Sequence, residues 1–284
     1  MDRRTFLTSI GLAAAATQLG CATTGQSAAG SRRLRRVGSQ LYTLRDDARR
    51  DLERTLGDIA AAGYNDVEML GGMNNFGMAP EKVRAILDRN GLRAPSTHVG
   101  GAAFDNLDRS LADAATLGHQ YLILASLPGG PNVTLDDYRR WADRLNESAR
   151  RAQSTGVHVG FHNHASDFKL IDGTVPYDVL MERTDPVLVR HQLDTGNLAM
   201  AGRDPLEYMR RFGPRYWSFH IKDVAQLSAT SDVELGKGII DFRRLMGMID
   251  NIDNKHLFVE QETYPGTPLE SARRDYTYIK TLAF

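Results

Sequence analysis

Short apolar runs recur along the chain from Val37 onward, and each is followed by a longer stretch whose apolar positions have helical spacing. Such helical patterns cover positions 52–62 and 138–154, and a glycine follows each of them closely. Repeated βα units imply a parallel sheet, and eight of them close a barrel. The pattern predicts an α/β fold, a (β/α)8 TIM barrel over residues 37–284, with strands ending near Leu44, Leu70, Val99, Leu127, Phe161, Leu193, Ile221 and Val259.

An open, doubly wound parallel sheet is the alternative architecture. That fold usually carries a glycine-rich phosphate turn after its first strand, but here Arg45-Asp-Asp47 follows the first apolar run. Gly236-Lys-Gly238 lies late in a loop and is a weak signal by itself. We therefore expect the barrel, without a nicotinamide site or a P-loop.

Residues 1–36 do not share the βα pattern. Paired arginines in Met1-Asp-Arg-Arg-Thr-Phe-Leu7 precede an apolar run, Ile10–Ala16, that is too short to span a bilayer. We interpret this segment as a twin-arginine (Tat) export signal and a flexible tether, with a disordered tail as the alternative. The expected partner is the Tat export machinery, and the expected location is the periplasm.

Cys21 is the only cysteine of the chain. Leu19-Gly20 precede it, as at the end of a lipoprotein processing box, although Gln18 departs from that pattern. A lipid anchor at Cys21 therefore stays open. Because no cysteine follows it, the barrel is expected to fold without a disulfide.

Composition and charge narrow the classes of function. The 284 residues are 42% hydrophobic and 25% charged, as in ordinary globular proteins, and 35 Lys and Arg balance 35 Asp and Glu. A net charge of zero lacks the long-range attraction that binders of nucleic acids or anionic membranes show. We expect a small-molecule carbohydrate substrate and no nucleic-acid partner.

Histidines and carboxylates follow several of the predicted strands. A barrel of this kind forms its active site at the C-terminal ends of its strands. A single histidine there is more often a hydrogen-bonded structural residue than a ligand. Imidazoles and carboxylates on adjacent strands would nevertheless converge on one point, as a catalytic divalent metal requires. We assign His162, Asp194, His220 and Glu260 as ligands of one divalent metal ion.

These strand ends also resemble a known family, the sugar phosphate isomerase/epimerase group of the xylose isomerase-like TIM barrel superfamily. The resemblance covers nearly all of residues 37–284. It implies the barrel, a divalent metal and a sugar-converting activity. The segments that carry it are Gln40-Leu-Tyr-Thr-Leu-Arg45, Gly63-Tyr-Asn-Asp-Val-Glu68, Ser96-Thr-His98, Phe161-His-Asn-His164, Leu193-Asp-Thr-Gly196, Phe219-His-Ile-Lys-Asp223, Gly236-Lys-Gly238 with Asp241, and Val259-Glu-Gln261.

Two positions depart from the family pattern. Ketose epimerases of the superfamily hold their metal by Glu, Asp, His and Glu, and His162 stands at the first of these positions. The replacement lowers the negative charge of the site by one, which favours Mn²⁺, Co²⁺ or Zn²⁺ over Mg²⁺. It also removes one of two glutamates that exchange protons in those epimerases. Asn197 replaces a frequent histidine and cannot transfer a proton near neutral pH.

Roles follow from the chemistry of removing a proton next to a carbonyl, which requires a base and positive charge for the oxygen. We expect Glu260 to act as base as well as ligand, with His164 or His98 as proton donor. Because one carboxylate base remains, dehydration, β-elimination or isomerisation stands beside epimerisation as an expected reaction.

Lys222 adds positive charge near the reacting oxygen or binds a substrate hydroxyl. The alternative is an ion pair with Asp223 or Glu262 that has no catalytic meaning. For Glu68, the alternative to contacting substrate is a hydrogen bond to a ligand histidine. The candidate substrate-binding residues are Arg45, Glu68, Asn163 and Asn197.

The leading hypothesis is a divalent-metal-dependent isomerase, epimerase or lyase that acts on an unphosphorylated sugar or keto-sugar derivative. A phosphorylated substrate is not expected, because the strand ends carry no Arg/Lys cluster and no glycine-rich phosphate cradle. A non-catalytic periplasmic sugar-binding barrel is one alternative. An apurinic-endonuclease-like hydrolase is another, which the neutral charge opposes.

Overall fold

Eight parallel strands form one sheet that curls into a nearly closed barrel, and two further strands form a small hairpin. The structure is a computed structural model and describes residues 32–284. The strands are β1 (Gly38–Gln40), β2 (Asp66–Met69), β3 (Arg93–Val99), β4 (Tyr121–Leu124), β5 (His158–Phe161), β6 (His191–Asp194), β7 (Tyr216–Ile221), β8 (Asp223–Val224), β9 (Asp232–Val233) and β10 (His256–Val259). The sheet order is β5-β4-β3-β2-β1-β10-β7-β6, which confirms the predicted TIM barrel.

Two predicted strand ends are wrong. β1 ends at Gln40 because the Gln40 side chain accepts a hydrogen bond from the Tyr42 backbone N–H at 3.1 Å and starts the 3₁₀ helix Leu41–Leu44. β4 ends at Leu124, and Leu127 is buried by loop packing outside the sheet. The export signal and Cys21 lie outside the described residues.

Helices cover the outside of the barrel and bury their apolar faces against it. Side-chain caps fix several starts: Asp51 accepts from the Arg54 N–H, and Thr134 forms a capping box with Asp137. Within residues 32–284, no helix combines the length and the apolar character needed to cross a membrane. The helices are α1 (Arg45–Arg50), α2 (Leu52–Ala61), α3 (Pro80–Arg89), α4 (Ala102–Asp105), α5 (Leu107–Leu117), α6 (Leu135–Ala152), α7 (Pro176–Arg183), α8 (Thr195–Met200), α9 (Pro205–Phe212), α10 (Phe242–Gly247) and α11 (Pro268–Thr281).

The seam between β5 and β6 closes the barrel with few backbone contacts. Two isolated bridges join these strands, Val159 with Val189 and His162 with Gln192. Just above them, the Asn163 side chain donates to the Asp194 carbonyl at 3.1 Å and accepts from the Asp194 N–H at 2.9 Å. A side chain therefore supplies here the pairing that backbone atoms supply elsewhere, and it holds Asp194 at the mouth of the barrel.

The loop after β7 is organised by one carboxylate. Asp223 accepts hydrogen bonds from the backbone N–H groups of Val224, Gly236, Gly238 and Ile240. Gly236 has a φ of +77°, in the left-handed region that glycine tolerates. The Gly-Lys-Gly segment is thus a turn that folds back onto the end of β7, and Asp223 is occupied by backbone atoms rather than by Lys222.

Candidate active site

A cavity of about 350 Å³ opens at the C-terminal ends of the barrel strands. All four residues predicted to act in catalysis, His98, His164, Lys222 and Glu260, lie in its wall. His162 and Asn197 lie there as well. The location is the one at which TIM barrels place their active sites.

The four predicted metal ligands come together at the base of this cavity. His162, Asp194, His220 and Glu260 each offer one nitrogen or oxygen atom, and these atoms all lie within 4.8 Å of one another. All four residues are buried. His162 and Glu260 directly follow β5 and β10, and Asp194 and His220 lie near the ends of β6 and β7, so the parallel strands of the barrel bring residues far apart in the sequence to one point.

Gln192 fixes the orientation of two histidines. Its Oε1 lies 2.8 Å from Nδ1 of His162 and 2.7 Å from Nε2 of His98. Because an amide oxygen only accepts hydrogen bonds, we assign a proton to both of these ring nitrogens. His162 then presents an unprotonated Nε2 toward Asp194, at 3.9 Å from its Oδ2.

Glu68 lies beneath the ligand cluster and contacts no cavity. Gln192 and Ser96 donate hydrogen bonds to its Oε1 at 2.9 and 2.5 Å, and Gln40 donates to its Oε2 at 2.6 Å. The Oε2 atom also pairs with Nε2 of His220. Both oxygens of Glu68 are thus occupied by protein side chains, and Glu68 orients His220, which is the second of the two roles that the sequence left open.

The charges around Glu68 and His220 stabilise one another. Burial raises the pKa of Glu68, but its interactions with His98 and His220, together with the hydrogen bonds from His220 and Ser96, outweigh burial and lower that pKa to about 2. Burial lowers the pKa of His220, whereas Glu260 and Glu68 raise it well above its usual value. A carboxylate on the far side of a ligand imidazole is the usual way to fix its tautomer and strengthen it as a ligand.

Lys222 is buried among three carboxylates. Its Nζ lies 2.7 Å from Oε1 of Glu262, 2.9 Å from Oε2 of Glu260 and 3.4 Å from Oδ2 of Asp194. Burial lowers the pKa of Lys222, but Asp194 and Glu260 raise it well above its usual value, so the side chain is charged. The structure thus unites the two predicted roles: an ion pair with Glu262, and positive charge in the cavity wall.

Gly196 makes room for the stem of Lys222. A Cβ atom at position 196 would lie 2.4 Å from Cγ of Lys222. Any larger residue would displace the lysine from the carboxylates of Asp194 and Glu260. The Asp-Thr-Gly segment after β6 therefore positions a metal ligand and the neighbouring ammonium group together.

Two further candidate substrate-binding residues are engaged by neighbouring protein groups. Arg45 lies outside the cavity wall: its guanidinium sits 4.2 Å from the Tyr42 ring centroid and donates to the Tyr42 carbonyl at 2.9 Å. Asn163 is fully buried, and its side chain forms two hydrogen bonds with the backbone of Asp194. Asn197 does reach the cavity, with Nδ2 3.1 Å from the Asn163 carbonyl oxygen.

The cluster is chemically suited to a divalent cation. Asp194 Oδ2 is buried and has no hydrogen-bond partner among the described residues. Nδ1 of His220 faces Oε2 of Glu260 at 2.9 Å. A metal ion replaces the proton that such a nitrogen would otherwise carry. Two imidazoles and two carboxylates form a donor set for Zn²⁺, Co²⁺ or Mn²⁺.

Sequence reasoning missed the polar residues one layer below the ligands. Gln192 precedes Asp194 by two positions, and Ser96 precedes His98 by two, so each shares the inward face of its strand with the residue above it. Gln40 completes this layer from β1. Period-two alternation would have found the first two, but Gln40 ends a strand whose limit the apolar pattern misplaced.

Comparison with known proteins agrees with this architecture. A family model described as xylose isomerase-like TIM barrel matches residues 56–282. Inosose dehydratase 1 of Bacillus cereus is 28% identical over 188 residues, which is 58% of this chain and 62% of that protein. The chain thus aligns with less than two thirds of the length of that curated relative.

Solved structures with the same fold cover most of the chain. A sugar phosphate isomerase/epimerase from Parabacteroides distasonis superposes with a TM-score of 0.71 at 23% identity, over 89% of this chain and 97% of that one. The 3-keto-D-glucoside 4-epimerase of E. coli superposes with a TM-score of 0.64 at 17% identity, over 87% of this chain and 99% of that one. At these identities the likeness establishes the fold alone.

Proposed function

Since the chain belongs to the xylose isomerase-like TIM barrel family, we propose that it is a divalent-metal-dependent isomerase, epimerase or lyase. Its substrate is an unphosphorylated sugar or keto-sugar derivative, from which it removes a proton next to a carbonyl. The observation that carries the proposal is the convergence of His162, Asp194, His220 and Glu260 at the base of a cavity of about 350 Å³. That volume suits a sugar ring.

The named relatives support both halves of this proposal. The curated relative from Bacillus cereus is an inosose dehydratase, which supports a lyase reaction. The structural neighbour from E. coli is a 3-keto-D-glucoside 4-epimerase, which supports a keto-sugar substrate. Among metals, the two imidazole donors favour Mn²⁺, Co²⁺ or Zn²⁺ over Mg²⁺.

Glu260 is the base of the proposed reaction. A divalent ion at the cluster would supply a Lewis acid for the substrate carbonyl oxygen. Burial raises the pKa of Glu260, but the charges of Lys222 and His220 lower it well below its usual value, so the carboxylate is ionised as a base must be.

His164 is the proposed proton donor. It is half-buried in the cavity wall, and its Nδ1 has no hydrogen-bond partner among the described residues. His98 is less suited, because its Nε2 is engaged by Gln192 and burial lowers its pKa. One carboxylate and one imidazole on the same cavity can remove a proton and protonate a leaving hydroxyl, which is the chemistry of dehydration.

The test combines metal analysis with isotope exchange. The purified protein is expected to hold one divalent ion per chain and to incorporate solvent deuterium into a keto-sugar such as a 3-keto glycoside. Glu260→Gln should lose at least about a hundredfold in exchange rate, as loss of a general base does. The control is Glu182→Gln, an exposed carboxylate on α7 that belongs neither to the cavity wall nor to the ligand cluster, which should keep both metal and exchange.

Two outcomes would decide against this function. A protein that binds sugars but holds no stoichiometric metal would be the non-catalytic sugar-binding barrel. A metal-loaded protein that exchanges no proton of any keto-sugar would not act by proton abstraction. Retention of exchange in Glu260→Gln would remove the base assignment.

We also propose that the chain is exported through the Tat machinery to the periplasm, on the strength of Arg3, Arg4 and the short apolar run after them. Replacing both arginines with lysine should leave the protein in the cytoplasmic fraction. Export of that double variant at the normal rate would contradict the proposal. Fractionation of Cys21→Ser tests lipid attachment, because loss of the anchor would move the exported protein from the membrane to the soluble periplasmic fraction.

A further inference from the structure

A second cavity of about 530 Å³ adjoins the catalytic one. Ser126 lies in the wall of both. The two cavities are bordered by the same two chain segments, those that follow β4 and β5: Ala125 and His164 face the catalytic cavity, and Leu127 and Ser166 face the second one. The second cavity is therefore a lateral extension of the active site between these two loops.

The wall of the second cavity is held in place by Asp167. Its carboxylate accepts a hydrogen bond from the Tyr138 hydroxyl at 2.6 Å and another from the His164 backbone N–H at 2.7 Å. Asp167 and Tyr138 both line the cavity, and both are buried. The same carboxylate thus joins the second cavity to the residue that we propose as proton donor, and the cavity is preformed.

Several hydrogen-bonding groups of this wall are occupied, whereas the hydroxyls of Ser126 and Ser166 are exposed. Asp167 and Tyr138 bond to each other, and Thr134 caps α6 together with Asp137. Lys169 is exposed to solvent rather than buried in the wall. The remaining large side chains are apolar: Leu127, Pro131, Val133, Leu170 and Ile171.

Such a surface fits one class of group. A second sugar ring presents several hydroxyls around its edge, and the two serine hydroxyls of this wall are too few to replace all of their bonds to water. An aromatic or alkyl group gains by covering apolar surface, and Leu170 offers it, being 57% exposed.

We propose that the second cavity is the subsite for an apolar aglycone, so that the substrate is a glycoside whose oxidised sugar ring occupies the catalytic cavity. This inference rests on the proposed function and specifies its substrate class. The glycosidic oxygen would lie near Ser126, where the two cavities meet.

The test measures binding separately from turnover. Phenyl and methyl 3-oxo-β-D-glucopyranoside are titrated calorimetrically into the metal-loaded full-length protein, and the phenyl compound should bind about tenfold more tightly. Leu170→Asp should abolish that preference while leaving the affinity for the methyl compound unchanged. Its control is Val187→Asp, an exposed apolar position before β6 and outside the second cavity, which should keep the preference.

Equal affinity for the two compounds, or a preference that survives in Leu170→Asp, would overturn the subsite. Binding of neither compound would do the same. Deuterium exchange into the sugar ring is followed in parallel. If the phenyl preference is present but no exchange occurs, the subsite stands and the proposed catalytic function fails; if exchange occurs without any preference, the reverse holds.

Discussion

Gln192 carries much of the chemistry of the site although it contacts no cavity. One amide oxygen accepts from both His98 and His162, and the amide nitrogen donates to Glu68 at 2.9 Å. The side chain thus decides which nitrogen of His162 is free to bind a cation. A fully satisfied buried network of this kind holds each member in one orientation.

Removing this amide should weaken metal binding. In Gln192→Leu the protons on His98 and His162 lose their acceptor, and we expect the affinity for a divalent ion to fall about 10–100-fold, as for other outer-shell partners. Calorimetric titration of the metal-free protein with Zn²⁺ measures it. Gln120→Leu is the control, since Gln120 contacts His256 in the same way at the opposite end of the barrel. Equal affinities in both variants would contradict the assignment.

Lys222 and a divalent ion would compete for the same two carboxylates, those of Asp194 and Glu260. Lys222→Met removes one positive charge from the cluster, so we expect the affinity for Zn²⁺ to rise about tenfold or more. The melting temperature without metal should fall, because Asp194 and Glu260 then lose one of their two neighbouring positive charges, with only His220 left. Lys237→Met, at an exposed position, should change neither quantity. A lower affinity in Lys222→Met would show that the ammonium assists the metal rather than competing with it.

The sequence was sufficient to predict that the four candidate ligands cluster, but not which residues support them. His162, Asp194, His220 and Glu260 could be predicted because parallel strands carry their C-terminal ends to one place. Glu68 also ends a strand, yet its oxygens are occupied by residues from four other strands, which no local pattern reports. A polar residue at a strand end can contact substrate only if side chains of other strands do not already occupy its hydrogen-bonding atoms.

At the scale of elements, Asp275 on α11 holds the loop that includes β9. Its Oδ1 accepts from the Leu235 N–H at 2.8 Å, and its Oδ2 is buried without a partner among the described residues. Burial raises the pKa of Asp275 to about 7, with the charges of Glu234 and Asp232 adding to the rise against the Leu235 hydrogen bond. The folded protein therefore keeps a proton here that the unfolded chain releases near its ordinary pKa of 3.8.

This proton makes stability pH-dependent with a definite sign. The raised pKa of Asp275 does not change the free energy of unfolding below pH 3.8. Between pH 3.8 and about 7 it lowers the free energy of unfolding progressively, and above about pH 7 this loss of stability is constant. We expect Asp275→Asn to be more stable than the wild type by about 1–3 kcal/mol at pH 8, and by less at pH 5. Urea unfolding at the two pH values measures the difference in free energy of unfolding between Asp275→Asn and the wild type. Asp250→Asn, an exposed carboxylate, should show no such change, and a gap independent of pH would contradict the account.

The order of elements was predictable because each βα unit carries its own apolar period. The exact strand ends were less so. Leu127 is apolar and buried yet lies outside β4, and Gln40 turns the chain by a side-chain hydrogen bond directly after β1. Burial in a loop and burial in a sheet produce the same apolar signal, so hydrogen bonding decides where a strand ends.

At the scale of the whole molecule, the barrel is closed unevenly. Most neighbouring strands share a continuous ladder, for example β3 with β4 from Ser96 to Val99, but β5 and β6 are joined by two isolated bridges. The ligands His162 and Asp194 lie on the two sides of that seam. Closing the barrel at this point therefore also brings these two candidate ligands together.

The Asn163 side chain is expected to stabilise both the seam between β5 and β6 and the binding of a metal ion at the ligand cluster. Asn163→Leu leaves the buried N–H and carbonyl of Asp194 without partners, which should lower the free energy of unfolding by about 2–4 kcal/mol and weaken Zn²⁺ binding at least about tenfold. Asn146→Leu is the matched control, because Asn146 makes the same two kinds of backbone bond, to the Arg183 carbonyl and the Asp185 N–H, on the outside of the barrel. Asn146→Leu should lower the free energy of unfolding by about 1 kcal/mol and leave the affinity for Zn²⁺ unchanged. Hydrogen exchange at the Asp194 amide should accelerate only in Asn163→Leu, and unchanged exchange there would show that the seam closes without this side chain.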